Sequence, residues 1–288
     1  MTSTPASSPV FPSSSDEPLA VPAYPDAPAP VLVNRAADLS EPEEVSGSTR
    51  PPVEFLDARV LVFAEQATPV LSSWEEREVD RLWEETTARN PAAFDGPLVA
   101  ALGLDRPGDG SLVVRWAPMT YRYRALRRLR PPEQVPGSVF VTVLLPTERG
   151  LVVGRGSPAT AAPGRWTLPG GAVEPPLAGQ ALNTAELRRH AARELVEETG
   201  VRVAVEELRL WALTRGSRFG SLGFHFLCPP VSGALVRRLH ADLSVVQTGA
   251  GTGPELDEIG FAPSPAAAGR LGLTADYLPQ VFDRYFTV

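Results

Sequence analysis

Arg193-Glu194-Leu195-Val196-Glu197-Glu198-Thr199-Gly200-Val201 is the stretch on which the fold turns. Read as a helix, it sets Glu194, Glu197 and Glu198 at i, i+3 and i+4, on one face. Three carboxylates so close repel at neutral pH and weaken a bare helix. A hard divalent cation removes that repulsion, because Mg²⁺ takes oxygen ligands and commonly carries phosphate oxygens with it. Leu195 falls on another face and can enter a core. Gly200 ends the helix as a residue free to adopt positive φ.

Upstream, Gly164-Arg165-Trp166-Thr167-Leu168-Pro169-Gly170-Gly171-Ala172-Val173-Glu174 reads as an extended segment broken by a Pro-Gly-Gly turn. With both halves in view, the chain resembles the Nudix hydrolase family. Its box runs Gly, five residues, Glu, seven residues, then Arg-Glu-apolar-any-Glu-Glu-any-Gly-apolar. Arg193 to Val201 matches every defined position of the second half, and the Trp-any-any-Pro-Gly-Gly lead-in matches as well. The first half departs. Gly171 and Arg193 lie eight residues further apart than the family pattern, and Pro175 to Leu182 is the expected insertion. Ala185 occupies the position of the family's first Glu, and Glu186 stands one residue later. Asn183-Thr184-Ala185-Glu186 reads as a capping box that restarts the helix, with Glu186 in a structural role.

The resemblance implies an α/β fold, a Nudix α/β/α sandwich, and metal-assisted hydrolysis of a diphosphate linkage. It implies Glu197 and Glu198 as Mg²⁺ ligands, with Mn²⁺ as the alternative ion. Glu194 would be a ligand or a general base, and Arg193 would orient a glutamate. Gly170 and Gly171 would bring backbone close to the metal, with the Gly171 carbonyl as a further ligand. The family often places another acid on a late loop. Here Glu255 and Glu258 follow a Gly-rich stretch and are candidates for the base, against the plainer reading of a solvated loop.

The chain has 288 residues, enough for one large or two small domains. Residues 1–52 hold 11 of the 31 prolines. They also carry a net charge of −5 out of −7. Such a tail lacks the apolar content to offset ordering and is expected to be disordered, with Val31-Leu32-Val33 as a short sticky element. The remainder is nearly neutral, which argues against a nucleic-acid surface. No apolar run approaches a membrane span, and no signal pattern opens the chain, so a cytoplasmic protein is expected. Cys228 is the single cysteine, which excludes a four-cysteine zinc module. All 27 basic residues are arginine, which excludes lysine chemistry.

Residues 53–130 read as an N-terminal α+β extension and 131–288 as the Nudix domain. A short strand is expected at Val60-Leu61-Val62-Phe63. A helix opens at Ser72 or Ser73, with Glu76 at its third position, and closes at Asn90-Pro91. A hairpin covers Leu98 to Trp116. The extension resembles the N-terminal segment of a vertebrate Nudix enzyme that cleaves UDP-glucose, through Trp74-Glu75-Glu76-Arg77, Asn90-Pro91 and Phe94-Asp95-Gly96-Pro97-Leu98. Tyr121 to Arg130 holds five Arg in ten residues. It is either a surface helix with Leu126 and Leu129 inward or an anion site in which Arg122 and Arg124 contact substrate and Tyr121 and Tyr123 stack. Arg155 and Trp166 are further candidate substrate contacts, Trp166 reading first as a packing residue beside the Gly-Gly turn.

Further along, Val139 to Leu145 is a buried strand expected to pair with Gly150 to Gly154 across a turn. Strands follow at Val203–Val205, Leu208–Leu213 and Phe224–Cys228, and a helix spans about Ala275 to Phe286. His225 reads as exposed across its sheet or hydrogen-bonded, and His190 as tolerated packing. The expected substrate is a small molecule linked through a nucleoside diphosphate, such as a nucleotide sugar, and the oligomeric state is open. Two other classes stand beside this one. One is a catalytically silent nucleotide-binding module, whose weight comes from the insertion. The other is an isoprenoid-diphosphate isomerase, which would need Cys228 at its pocket.

Overall fold

The computed structural model describes residues 53–160 and 163–287, so the expectations for the tail at 1–52 lie outside the described residues. The chain opens with β1 (Val53–Leu56), β2 (Val60–Glu65) and helix α1 (Ser73–Arg89). The long hairpin β3 (Pro97–Asp105) and β4 (Ser111–Thr120) leads into a 3-10 segment at Tyr121–Arg128. Then come β5 (Gly137–Leu144), β6 (Pro146–Thr147), β7 (Gly150–Gly156) and β8 (Trp166–Thr167). Helix α2 (Thr184–Thr199) precedes β9 (Arg209–Gly216), β10 (Leu222–Leu227), α3 (Gly233–Gly249) and β11 (Leu256–Ala262). The short α4 (Pro265–Ala268) and the closing α5 (Leu278–Thr287) complete the order.

Two sheets organise these elements. Seven strands run β1-β9-β10-β5-β3-β4-β2, and a four-stranded sheet runs β11-β7-β6, with β8 added against β7. The extension therefore shares a sheet with the elements that follow it: β3 pairs β5, and β1 pairs β9. The β5 to β10 and β2 to β4 pairings are parallel. The expected pairing of β5 with the Gly150 strand is not made. The chain leaves the large sheet after Leu144, and β7 pairs with β6, β8 and β11 in the second sheet.

Helix α2 buries Leu187, Ala191 and Leu195, spaced one turn apart, against the large sheet. Each fully buried leucine is worth about 2 kcal/mol relative to exposure. A second cluster joins Leu144, Leu151, Val153, Trp166 and Leu168 to Tyr277, Leu278, Val281 and Phe282 of α5. Helices thus cover the sheets from both sides, the α/β/α arrangement expected. Among the described residues no helix is long and apolar enough to cross a membrane.

Several local expectations need correction. Ser72 caps α1 through Glu75, not Glu76, in a reciprocal capping box. The strand expected at Val60–Phe63 lies within β2, but β1 was not expected and takes the opposite edge of the large sheet. Val203-Ala204 is not a strand but leads into a 3-10 turn. The expected late loop carrying Glu258 is strand β11. Helix α3 was not foreseen, because it opens on Gly233 and exposes Val245 and Val246. Its signal was the helical spacing of Val236, Leu239 and His240, which face the core.

Candidate functional site

The Pro-Gly-Gly turn runs along β5 as an irregular strand. Val143 N–H donates to the Pro169 carbonyl at 2.8 Å, and Val141 N–H to the Gly171 carbonyl at 2.9 Å. The Gly171 carbonyl, expected to face a metal, therefore points at β5, since alternate groups of an extended chain face opposite ways. Between these bonds, Gly170 N–H and the Ala172 carbonyl face α2. Gly170 N–H donates to Glu198 Oε2 at 2.7 Å, and the Ala172 carbonyl lies 2.9 Å from His190 Nε2. Gly170 is required by its backbone. Gly170 has φ of 149°, and a Cβ there would stand 2.1 Å from the Val141 carbonyl oxygen. A Cβ on Gly171 would fall 2.7 Å from the Glu194 carboxylate carbon.

Glu194, Glu197 and Glu198 of α2 form a strained electrostatic set. Glu198 is only 6% exposed. Burial, then the charges of Glu194 and Glu255, push its carboxyl well above the usual range, against the Gly170 hydrogen bond. Glu197 is raised to about 7, first by burial and then by Glu194, with Arg193 opposing. Glu194 lies on the Cβ side of Gly171 and approaches His190 Nε2 at 3.1 Å through Oε1.

The glutamate beside Arg193 is Glu174, from ahead of the helix. Arg193 Nη2 reaches His190 Nδ1 at 2.7 Å and Glu174 Oε2 at 3.5 Å. Glu186 pairs with Arg189 on the exposed side of α2. The expected capping box is half made: Asn183 accepts from Glu186 N–H at 2.9 Å, and the Glu186 carboxylate turns away. The partner of Arg193 thus comes from ahead of the insertion. The insertion loops out between Glu174 and Asn183, exposing Leu177 and returning to the core at Leu182. Sequence reasoning missed His190 and Glu174 here. His190 stands three and four residues before Arg193 and Glu194, which was the available signal. Gly200 closes α2 in the left-handed region at φ of 75°.

The other candidates separate. Glu255 acts electrostatically on both Glu198 and Tyr121. Glu258 instead pairs with Arg155 at 3.2 Å, and Arg155 also binds Asp257 at 3.0 Å. Trp166 is buried in the second core cluster, against Gly260. Arg122 is held by Asp80 at 2.6 Å and Asp95 at 3.6 Å. Arg124 lies over the Tyr121 ring at 5.2 Å and donates to Ser138 Oγ at 3.5 Å. Burial pushes the Tyr121 phenol up to about 12, and Glu194, Glu255 and Glu174 add to that push against Arg124. The end of the extension therefore reaches the glutamate set. His225 lies elsewhere, buried between Thr142 and Thr214, so its expected exposed alternative is not adopted.

Among the described residues no three His, Cys, Asp or Glu side chains converge as a ready metal cage. The donor chemistry nevertheless fits a hard divalent cation: the acids offer oxygens only, and their mutual repulsion is what a cation would remove.

The family model described as NUDIX domain matches residues 135–260. Residues 135–260 are a NUDIX domain. Among solved structures similar to this chain is the MutT protein from Methanosarcina mazei Go1. It is 19% identical over 52% of this chain and 93% of that one, with a TM-score of 0.35. The NUDIX domain of Shewanella oneidensis NrtR, complexed with ADP ribose, is 16% identical over 52% and 87%, with a TM-score of 0.35. A bifunctional NMN adenylyltransferase/ADP ribose pyrophosphatase from Francisella tularensis, complexed with AMP and a Mn ion, is 15% identical over 55% and 43%, with a TM-score of 0.36. At these scores the likenesses add no argument to the domain match. Comparison with curated proteins gave no match. The match leaves out β3 and β4, although both belong to the large sheet that carries the NUDIX strands.

Proposed function

We propose that this protein hydrolyses a diphosphate linkage in a nucleoside-diphosphate-linked small molecule, such as a nucleotide sugar, in a Mg²⁺-dependent reaction in the cytoplasm. The observation that carries this reading is the buried Glu198, held by Gly170 N–H beside Glu194 and Glu197, with its charge opposed by every neighbouring carboxylate. Glu197 and Glu198 would hold the metal, with Glu194 as a third ligand or as the base. A bound divalent cation would neutralise phosphate charge and activate a water. Gly170 N–H orients one Glu198 oxygen and leaves the other for a ligand. Glu255 is the better late acid for proton transfer, because Glu198 feels its charge whereas Glu258 is paired with Arg155. Arg124, stacked on Tyr121, is the better phosphate contact, because Asp80 and Asp95 already neutralise Arg122. Arg124→Ala is expected to raise KM about tenfold, and Arg122→Ala to leave it unchanged.

The buried Cys228 is a poor isomerase nucleophile: burial pushes its thiol up to about 12. The silent-module reading keeps one observation in its favour, the diversion of Glu186 to Arg189. The test is product release from UDP-glucose, ADP-ribose, NADH, coenzyme A, nucleoside triphosphates and geranyl diphosphate. Each is run with and without Mg²⁺, for wild type and Glu198→Gln. Metal-dependent turnover lost in the variant supports hydrolysis. Silence from folded wild type, with nucleotide binding retained, supports the module.

A further inference from the structure

Position 190 lies on the face of α2 that carries Arg193 and Glu194, and its ring makes three polar contacts. Nδ1 lies 2.7 Å from Arg193 Nη2. Nε2 lies 2.9 Å from the Ala172 carbonyl oxygen and 3.1 Å from Glu194 Oε1. A guanidinium only donates, so Nδ1 must accept. The ring is then neutral and carries its proton on Nε2, aimed between two acceptors. Glu194 lies between this N–H and Gly171, on the side where a Cβ would meet its carboxylate. A continuous line of polar contacts runs from Glu174 through Arg193 and His190 to Glu194.

We propose that His190 is a positioning residue, whose neutral imidazole fixes the Glu194 carboxylate against the Gly171-Ala172 backbone and ties it to Arg193. The proposal rests on the metal-dependent reading above. His190 itself touches neither substrate nor metal. It sets the rotamer of a group that does, as partners behind metal ligands commonly do. At 6% exposure it is walled in, so loss of its contacts cannot be made good by bulk water.

Two near-isosteric variants separate bonding from space filling. The Gln amide nitrogen can stand where Nε2 stands and keep the link to Glu194 and Ala172. The Asn oxygen can stand where Nδ1 stands and keep only the link to Arg193. Mn²⁺ binding to the full chain is measured by calorimetry, beside kcat and the metal concentration for half-maximal rate. His190→Ala is expected to weaken Mn²⁺ affinity about tenfold or more. His190→Gln should recover most of that loss, and His190→Asn should not. In ¹⁵N-histidine spectra of the metal-free wild type, His190 should show the Nε2–H tautomer. Should the Ala variant fail to fold, the Gln-to-Asn difference still decides. Equal affinity in Gln and Asn variants, or wild-type affinity in the Ala variant, would overturn the proposal. A wild type that binds no Mn²⁺ would overturn the metal reading and this proposal together. Wild-type binding that His190→Ala matches overturns this proposal alone.

Discussion

Two buried polar clusters in this protein solve the same problem in opposite ways. His225, fully buried on β10, has Nδ1 2.7 Å from Thr142 Oγ1 and Nε2 2.8 Å from Thr214 Oγ1. Both ring nitrogens are satisfied, and burial pushes the pKa down to about 3, so the ring stays neutral. The glutamates of α2 are also buried in part, yet their neighbours are one another. Burial and repulsion push Glu197 and Glu198 up, and a single backbone N–H holds Glu198. A polar group that is satisfied within the fold belongs to the scaffold. A set of like charges whose burial and repulsion outweigh its counterion is a demand for a ligand.

The largest effect should come from Glu198→Gln. Turnover is expected to fall by roughly 10³-fold, while the melting temperature holds or rises, because a repelled buried charge is gone. A variant that unfolds instead would put Glu198 in the scaffold class and erase the contrast. Next is Gly170→Ala, in which left-handed strain and overlap with the Val141 carbonyl act together. Stability should drop by about 3 kcal/mol in urea unfolding; an unchanged midpoint would show that the turn can move off β5.

The clusters should also differ in the sign of their pH dependence. His225 has a folded pKa below its unfolded value, so its contribution is whole above pH 6.5 and declines as pH falls toward 3. By pH 4.5 the loss is about 2.7 kcal/mol. Glu197 runs the other way: its penalty is whole above about pH 7 and is relieved as pH falls toward 4.5. The stability difference between wild type and His225→Leu should shrink on acidification, whereas the gain from Glu197→Gln over wild type should shrink too, each isolating one sign. A wild type to His225→Leu difference that stays flat from pH 6.5 to 4.5 would remove the histidine from the comparison. The smallest effect is that of Thr214→Val, which leaves Nε2 without its partner. It should destabilise by about 1 kcal/mol with turnover unaltered, and a change in kcat would mean that the scaffold cluster is coupled to the site.

Much of this was readable in the chain. Helix α2, its cap at Asn183 and its stop at Gly200 follow from periodicity and from residue types with narrow conformational uses. So do the Pro-Gly-Gly break, the β3–β4 hairpin and the NUDIX match over residues 135–260, because each depends on neighbours within a few positions. Other features did not follow. The wrong partner for β7 arose because a short turn suggests a hairpin, whereas the chain changes sheets at Pro146. Helix α3 was hidden by exposed valines and an opening glycine.

By itself the sequence determined which residues share a face of α2 and where the backbone must be glycine, since helical pitch and the absence of a Cβ are local properties. Only the tertiary structure decided which arginine keeps an open charge, which late acid acts on Glu198, and that the Ala172 carbonyl meets His190. Those outcomes depend on which segments the sheets bring together: Asp80 and Asp95 to Arg122, Arg155 to Glu258, and the Ala172 carbonyl to His190. Contacts between residues tens of positions apart are fixed by packing and charge in three dimensions, which no spacing along the chain encodes.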